Sequence, residues 1–496
     1  MNNRSFEKGV GSRIFIAAFF VMALVPLVCI PLAGSDVSAE KRELAPAPSL
    51  VVDGHPNVNV LQEAGAWFDD HFAFRGLLVD ADATLKERVF MTSATENVVV
   101  GNDGWLYYAG TLNDWQRRNA MSEHELKNAA HNLALIQEWL QSQGKGFAFC
   151  IAPNKNTLYP QSMPYYEMAG EGQSNLERLV PLLASEGVSY VDLRVAFEAQ
   201  NKILYYARDS HWNGEGALLA YRTIGNALST TLPTYAGEAM QDTTHKGDID
   251  QMLHPQTALG ERDSTLPSAN AYTIVNEAEG VEDSTIQTTS SSVDMADATL
   301  VMYRDSFGNN LLPFFATAYG NATFSKLVPY DMGPAAIRDA TDVIVERAER
   351  HLDLFATDPP YMPSPIRTLG EATGRVEDGA QGATVHVSTN GPYFVVEGSI
   401  DGNRVNDDDP IYVELTFGDA RGTVEAFRVS AAQAVDADSE GADDGASDAV
   451  SVIAGDWGYR AYFYAGNPDA TSVRHVRVLA GDASAPLQLA DVSMRP

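Results

Sequence analysis

Cysteine is nearly missing from this chain: Cys29 and Cys150 are the only two among 496 residues. Cys29 sits inside an apolar run, so a structural disulfide between them is not expected, and so few thiols fix no redox compartment. Basic residues are also scarce, with 34 Lys and Arg against 66 Asp and Glu and a formal net charge of −32. Such a chain lacks the basic patches that neutralise phosphates, which argues against nucleic acid as a partner. The same charge repels acidic polymers unless a local basic groove overrides the field. No internal repeat and no cofactor-binding motif is read in the sequence, and Asp305 and Asp209 lack the His-rich or acidic surroundings of a metal site.

What is present begins at the N-terminus. From Ile14 to Ala33 the chain carries about twenty uncharged, mostly apolar residues, preceded by Arg4, Lys8 and Arg13. At roughly 1.5 Å per residue such a run spans about 30 Å of hydrocarbon. The basic flank belongs on the cytoplasmic side, so the rest of the chain is expected outside the membrane. The run reads as an uncleaved signal anchor over residues 1–34, with "DVSAE" at 36–40 as the alternative of a cleavage site. Residues 35–56, polar and proline-bearing, read as a tether.

At 496 residues the chain exceeds what one core usually supports. Apolar residues at helical spacing from "VNVLQEAGAWFDDHF" onward predict a helix pair, and "VVVGNDGWLYY" predicts a hairpin. Between 122 and 200 helix and strand patterns alternate. "SEHELKNAAHNLALIQEWLQSQG" opens with a capping-box pair, Ser122 and Glu125, and closes on Gly144; "GFAFCIAP" reads as a buried strand. That alternation predicts a three-layer α/β domain with a parallel sheet over residues 57–358, its ligand beyond the carboxyl ends of the strands. Four prolines between 359 and 365 mark a boundary. From 366 to 496 short alternating strands predict a β-sandwich, a carbohydrate-binding module by position and class alone, with an acidic loop at 436–449.

Two short stretches carry chemistry. "RDSF" places Ser306 just after a hydrophobic strand and before a helical pattern, where a hydroxyl is exposed at a turn. "DSHW" places Asp209 and His211 side by side. A serine needs a neighbouring base, and an imidazole needs a carboxylate to hold its tautomer. Ser306 as nucleophile, His211 as base and Asp209 as its orienting acid complete that set. Against this stands the plain reading in which Asp305 and Ser306 cap a helix and His211 is a satisfied structural pair.

In that order, Asp-x-His-Trp about 95 residues before the serine segment, the chain resembles the cell-surface SGNH-hydrolase-like proteins of the alginate O-acetyltransferase type and their relatives named for a D-H-H-W signature. "WFDDHFAFR" (67–75), "VVVGNDGWLYY" (98–108), "APNKNTLYP" (152–160), "KGDIDQML" (246–253) and "DVIVERAER" (342–350) agree with the pattern. One departure is Ser210, where the signature has its second histidine. The resemblance implies a triad of Ser306, His211 and Asp209, with Asn154 and the Ser306 backbone N–H as oxyanion donors. Arg75, Lys155, Tyr159, Trp212 and Arg304 are candidates to line the substrate groove. It also implies an O-acetyltransferase acting on an exported polysaccharide, with the acetyl group delivered by a membrane-bound O-acyltransferase. An acetylesterase and a non-catalytic glycan-binding or assembly protein are the competing expectations.

Overall fold

The computed structural model describes residues 4–29, 45–52, 54–228, 230–276, 284–290, 297–374, 382–430 and 457–494. Residues 30–33 of the apolar run, residues 35–44 of the expected tether and the acidic loop 436–449 lie outside them. Residues 14–29 lie in one helix, Arg4–Cys29, with Phe15 and Val28 exposed. Among the described residues no helix is long and apolar enough to cross a membrane.

A seven-stranded sheet organises the part of the chain from 57 to 358. In spatial order its strands are Tyr190–Val191, Gly146–Ala152, Asp342–Ala348, Thr299–Tyr303, Asn321–Ser325, Thr285–Ser290 and Tyr272–Ile274. The first five run parallel and the last two join antiparallel, so the sheet is mixed where a parallel one was expected. The reason is local: the strands at 272–274 and 285–290 are joined by a short connection, which permits only antiparallel pairing, because a parallel step needs a crossover.

Side chains alternate across this sheet as a two-residue period requires. Phe147, Phe149, Ile151, Val301, Val343 and Val345 face one core, with the helices Glu123–Ser142 and Asn175–Ser185. Ala148, Cys150, Ala152, Leu300, Met302 and Ile344 face the other, with Gly214–Gly225 and Leu312–Ala318. Helix Glu123–Ser142 begins at the expected box: Ser122 Oγ accepts from the Glu125 N–H at 3.1 Å and Glu125 accepts from the Ser122 N–H at 2.6 Å. The two helix layers and the sheet bring the carboxyl ends of Gly146–Ala152, Asp342–Ala348 and Thr299–Tyr303 to one edge.

Beyond the prolines lie two four-stranded antiparallel sheets. One is ordered His386–Asn390, Tyr393–Ser399, Gly458–Tyr464, Phe427–Val429, and the other Ala420–Glu425, Ile411–Phe417, Val473–Ala480, Leu487–Ser493. Phe394, Val413, Leu415 and Val476 fill the space between them. The first sheet also turns apolar residues outward, and Tyr393, Val395, Phe427 and Tyr462 join the core beneath helix Glu123–Ser142. Asn132 on that helix pairs both ways with the Arg428 backbone, at 2.7 and 3.0 Å. The sandwich is therefore seated on the helix layer away from the strand face that carries Cys150.

Candidate active site

Ser306 follows the strand Thr299–Tyr303 by three residues, in right-handed helical backbone conformation, and a 3₁₀ turn, Phe307–Asn309, precedes the seven-residue helix Leu312–Ala318. The carboxylate of Asp305 folds the turn. One oxygen accepts from the Phe307 N–H at 2.9 Å and the other from the Ala348 N–H at 2.7 Å, tying the serine turn to the end of the neighbouring strand. Ser306 thus does no capping with its side chain, and its hydroxyl is left for other use. A Cβ on Gly308 would lie 2.6 Å from the Arg304 Cβ, so this turn admits only glycine there. The Ser306 N–H has no acceptor among the described residues.

The Asp209–His211 loop is held from several sides. Lys155 Nζ, buried, donates to the carbonyls of Tyr206, Ala207 and Asp209 at 3.2, 3.1 and 2.6 Å. Glu261, from the ribbon Gln241–Lys246/Gly260–Thr265, accepts from the Ala207 and Arg208 N–H groups, both at 2.7 Å. Arg208 is buried and bridges Glu87 and Asp250, each at 2.7 Å, while His254 meets Glu87 at 2.6 Å. The "KGDID" segment packs close against this loop. A Cβ on Gly247 would lie 2.1 Å from the Arg208 carbonyl oxygen, a contact that any other residue would forbid.

These constraints bring Asp209, His211 and Ser306 into one line. His211 Nδ1 is 2.7 Å from Asp209 Oδ1, and His211 Nε2 is 2.8 Å from Ser306 Oγ. An ionised carboxylate can only accept, so Nδ1 carries the proton and Nε2 presents its lone pair to the serine hydroxyl. Phe307 and Trp212 pack behind the pair, the Phe307 ring centroid 4.8 Å from that of His211 and 4.9 Å from that of Trp212. Asn310 Nδ2 donates to the Trp212 carbonyl at 3.0 Å and fastens the two segments together.

Asp209 receives four hydrogen bonds: from the His211 N–H and Nδ1 on one oxygen, and from His245 Nε2 and the Asp248 N–H, both at 2.8 Å, on the other. Burial works against the charged form, but the bonds from the two histidines, the His211 charge and the Asp248 amide outweigh it and hold the carboxyl well below the usual carboxylate range. His211 is shifted the other way. Burial lowers its pKa, the hydrogen bond and charge of Asp209 and the charge of Asp248 raise it, Arg350 lowers it again, and the net shift is upward. Ser210, the departure from the signature, bridges the two acids' neighbourhoods: it donates to Asp248 Oδ2 at 2.6 Å and lies 3.1 Å from His211 Nδ1. The donor atoms of Asp209, His211 and Asp248 lie within 4.8 Å of one another, a crowding that this hydrogen-bonded relay itself accounts for.

The remaining expected site residues are placed differently. Lys155, Trp212 and Arg304 are buried, so they support the site from beneath and do not line a groove. Lys155 clamps the loop, burial pulling its pKa down to about 8, and Trp212 packs between Phe197 and Phe307. Arg304 donates to the Asp305 carbonyl and to Asn309. The Tyr159 hydroxyl accepts from the Leu204 N–H at 2.9 Å and its ring packs on Trp105. Arg75 Nε donates to the Asp69 carbonyl in its own helix hairpin. Asn154 reaches the same sheet edge, where it is buried and its amide donates to Asp114 Oδ2 at 2.9 Å.

Of the other relay residues, His245 was not singled out from the sequence, while Ser210 and Asp248 stood in it only as a departure from the signature and as part of the "KGDIDQML" stretch. His245 and Asp248 lie on either side of Lys246-Gly247 in "HKGDID", and the local signal for His245 is no more than a base two residues before a glycine. Arg350 is the other unforeseen neighbour. Half-buried, it lies 5.6 Å from the Tyr108 ring and 5.9 Å from the Phe307 ring, with no ion pair or hydrogen bond among the described residues.

Several known proteins are similar to this chain. PatB1 of Bacillus cereus is 16% identical, with 52% of this chain and 98% of that one covered and a TM-score of 0.40. AlgX of Pseudomonas aeruginosa is 13% identical, with 84% and 94% covered and a TM-score of 0.34. A DHHW family protein from Eubacterium siraeum is 15% identical, with 45% and 85% covered and a TM-score of 0.35. No curated protein matches the chain in sequence. Residues 98–300 match the model of the family described as SGNH hydrolase-like domain, acetyltransferase AlgX. That span takes in Asp209 and His211 and stops just short of Ser306, so the serine's place in the site rests on the geometry above. Over residues 98–300 the chain is thus similar to the SGNH-hydrolase-like domain of the AlgX acetyltransferase family, in line with the resemblance read from the sequence.

Proposed function

We propose that this protein is an O-acetyltransferase that moves an acetyl group onto hydroxyls of an exported or cell-wall polysaccharide through an acetyl-Ser306 intermediate. The observation that supports it is the continuous line Asp209–His211–Ser306, with separations of 2.7 and 2.8 Å. Ser306 Oγ attacks the acetyl carbonyl carbon of the donor while His211 Nε2 takes the hydroxyl proton. The free Ser306 N–H faces the oxyanion that forms. Collapse breaks the bond to the donor's leaving group, which receives the proton from His211, and acetyl-Ser306 is left. A sugar hydroxyl then attacks the same carbonyl and gives its proton to His211. The ester bond to Ser306 breaks and the serine regains that proton. Asp209 holds the imidazole in the required tautomer and stabilises its charge in both halves.

In this reading the N-terminal apolar run is a signal anchor that holds the site on the outer side of the membrane. A membrane-bound O-acyltransferase is the source of the acetyl group. The test is to incubate the full-length chain, in detergent, with an acetyl ester and candidate glycans and to follow protein mass and released acetate. A gain of one acetyl on the wild type, absent from Ser306→Ala and discharged by the glycan, is expected. Equal acetylation of the alanine variant would overturn the nucleophile, and discharge to water alone would make the enzyme an esterase.

A further inference from the structure

We propose that His245 is a positioning residue of this site, a second imidazole on the triad acid that fixes which face of Asp209 His211 sees. The proposal rests on the reading of Asp209, His211 and Ser306 as a triad.

The observation is a division of labour on one carboxylate. Oδ1 of Asp209 takes both bonds from His211, and Oδ2 takes His245 Nε2 and the Asp248 N–H. A carboxylate free to rotate about its Cβ–Cγ bond would present either oxygen to Nδ1. Two donors on Oδ2 remove that freedom. The His245 ring is itself fixed, stacked on Tyr206 with centroids 4.3 Å apart and planes 24° apart. Tyr206 belongs to the loop that carries Asp209, and His245 to the strand Gln241–Lys246, so the pair staples the ribbon to the triad loop. On the partner strand His245 faces Glu261, whose two oxygens hold the Ala207 and Arg208 N–H groups. Nothing in ribbon folding requires a histidine here. A side chain one position out of register would miss Asp209, because successive strand residues point to opposite faces.

The charged groups facing His245 are Asp209 and, from the ribbon, Asp263 and Glu261, while Tyr206 is neutral. The hydrogen bond to Asp209 is the leading cause, followed by burial, which opposes it, and by the charges of Asp209, Asp263 and Glu261; together they raise the His245 pKa above its ordinary value. Its protonated form places a second cation on the same carboxylate as the His211 imidazolium. Like charges disfavour one another, so protonated His245 holds the His211 pKa lower than Asp209 alone would set it. His245 therefore orients the acid and moderates the base at once.

Two variants separate these from a merely structural role. His245→Gln keeps an N–H donor for Oδ2 but carries no charge, whereas His245→Ala keeps neither. In the full-length chain, the rate at which phenylmethanesulfonyl fluoride labels Ser306 is followed against pH, and the His211 ring protons are titrated by NMR. Expected is a plateau labelling rate about tenfold lower in His245→Ala and restored to within about twofold in His245→Gln. In both variants the rising limb and the His211 titration move to higher pH. An alanine variant as fast as wild type, a glutamine variant as slow as alanine, or a His211 titration that moves in neither would each overturn the proposal. A wild type that labels nowhere would instead overturn the nucleophile, and the NMR titration would still decide the role of His245.

Discussion

Two buried acid clusters lie beyond the carboxyl ends of adjacent strands, and they are built on opposite terms. Around Asp209 every carboxylate oxygen is supplied with two donors, and the group is held ionised. Around Glu349 and Asp114 donors are few. Glu349 Oε2 accepts from the Asn154 N–H and the Thr157 hydroxyl, at 2.8 and 2.7 Å, but Oε1 has no partner among the described residues. Burial, with the Asp114 charge added, pushes Glu349 up to about 8, and burial pushes Asp114 up to about 6 despite Arg117 and the Asn154 amide. Depth of burial therefore does not decide whether a carboxylate is held ionised or protonated. The number of donors aimed at it does, because only donors offset the loss of water. Asn154 serves this second cluster with both its N–H, given to Glu349, and its amide, given to Asp114.

The largest contrast is expected between the isosteric amides of the two acids. Asp209→Asn keeps shape but offers a donor where His211 Nδ1–H needs an acceptor, which forces the wrong tautomer. Acetyl-enzyme formation should fall by roughly 10³- to 10⁴-fold. Asp114→Asn, in the donor-poor cluster, should change it by less than about tenfold. Stopped-time mass spectrometry of the acyl-enzyme measures both, and an equal loss in the two variants would erase the distinction between the clusters.

Lys155 should come next. It is a buried cation satisfied by three carbonyls of the triad loop, so Lys155→Met leaves those oxygens without a donor and should lower stability by about 2–4 kcal/mol. Denaturant unfolding would show this, and a midpoint unchanged from wild type would mean that the loop is held by Glu261 and the ribbon alone.

Glu349→Gln tests the sign of the second cluster. The folded-state pKa of Glu349 lies above its unfolded value, so its contribution to stability is full below about pH 4.5 and is lost as pH rises through about 8. The glutamine variant has no proton to lose. It should come close to wild type near pH 5 and exceed it by roughly 3–5 kcal/mol at pH 9. Thermal unfolding across that range measures the gap, and a gap that is constant with pH would mean that Glu349 is ionised in the fold.

What the sequence made legible follows from range. Asp209, His211 and Ser306 stand out because each lies in a stretch where reactive residue types are neighbours, at a strand end or beside an aromatic. The capping box at Ser122 was legible because it closes within four residues. His245 was not, and the contact of Asp248 with Ser210 was not, because both depend on the glycine at 247 letting "KGD" approach the Arg208 carbonyl some forty residues away. Lys155, Trp212 and Arg304 were legible as unusual residues but not as buried ones, since a cation or an indole reads alike under a loop and in a groove. The antiparallel edge of the sheet was hidden in an irregular polar stretch whose strands, Tyr272–Ile274 and Thr285–Ser290, carry little hydrophobic pattern.

The smallest effect, and the one that locates the boundary between the two clusters, belongs to Arg350. It follows Glu349 in the chain, yet its guanidinium lies over the Phe307 ring that also packs on His211. Its charge lowers the His211 pKa against the upward pull of Asp209 and Asp248. With neutral His211 as the proposed base, the rate rises as pH climbs through that pKa. Removing the cation in Arg350→Met lets His211 hold its proton to higher pH, so the rising limb should move upward by roughly half a pH unit, with the rate below the limb falling accordingly. A limb that moves downward would mean that Arg350 acts on His211 by holding Phe307 in place rather than by its charge, and the Glu349 side of the sheet edge would then meet the triad through packing alone.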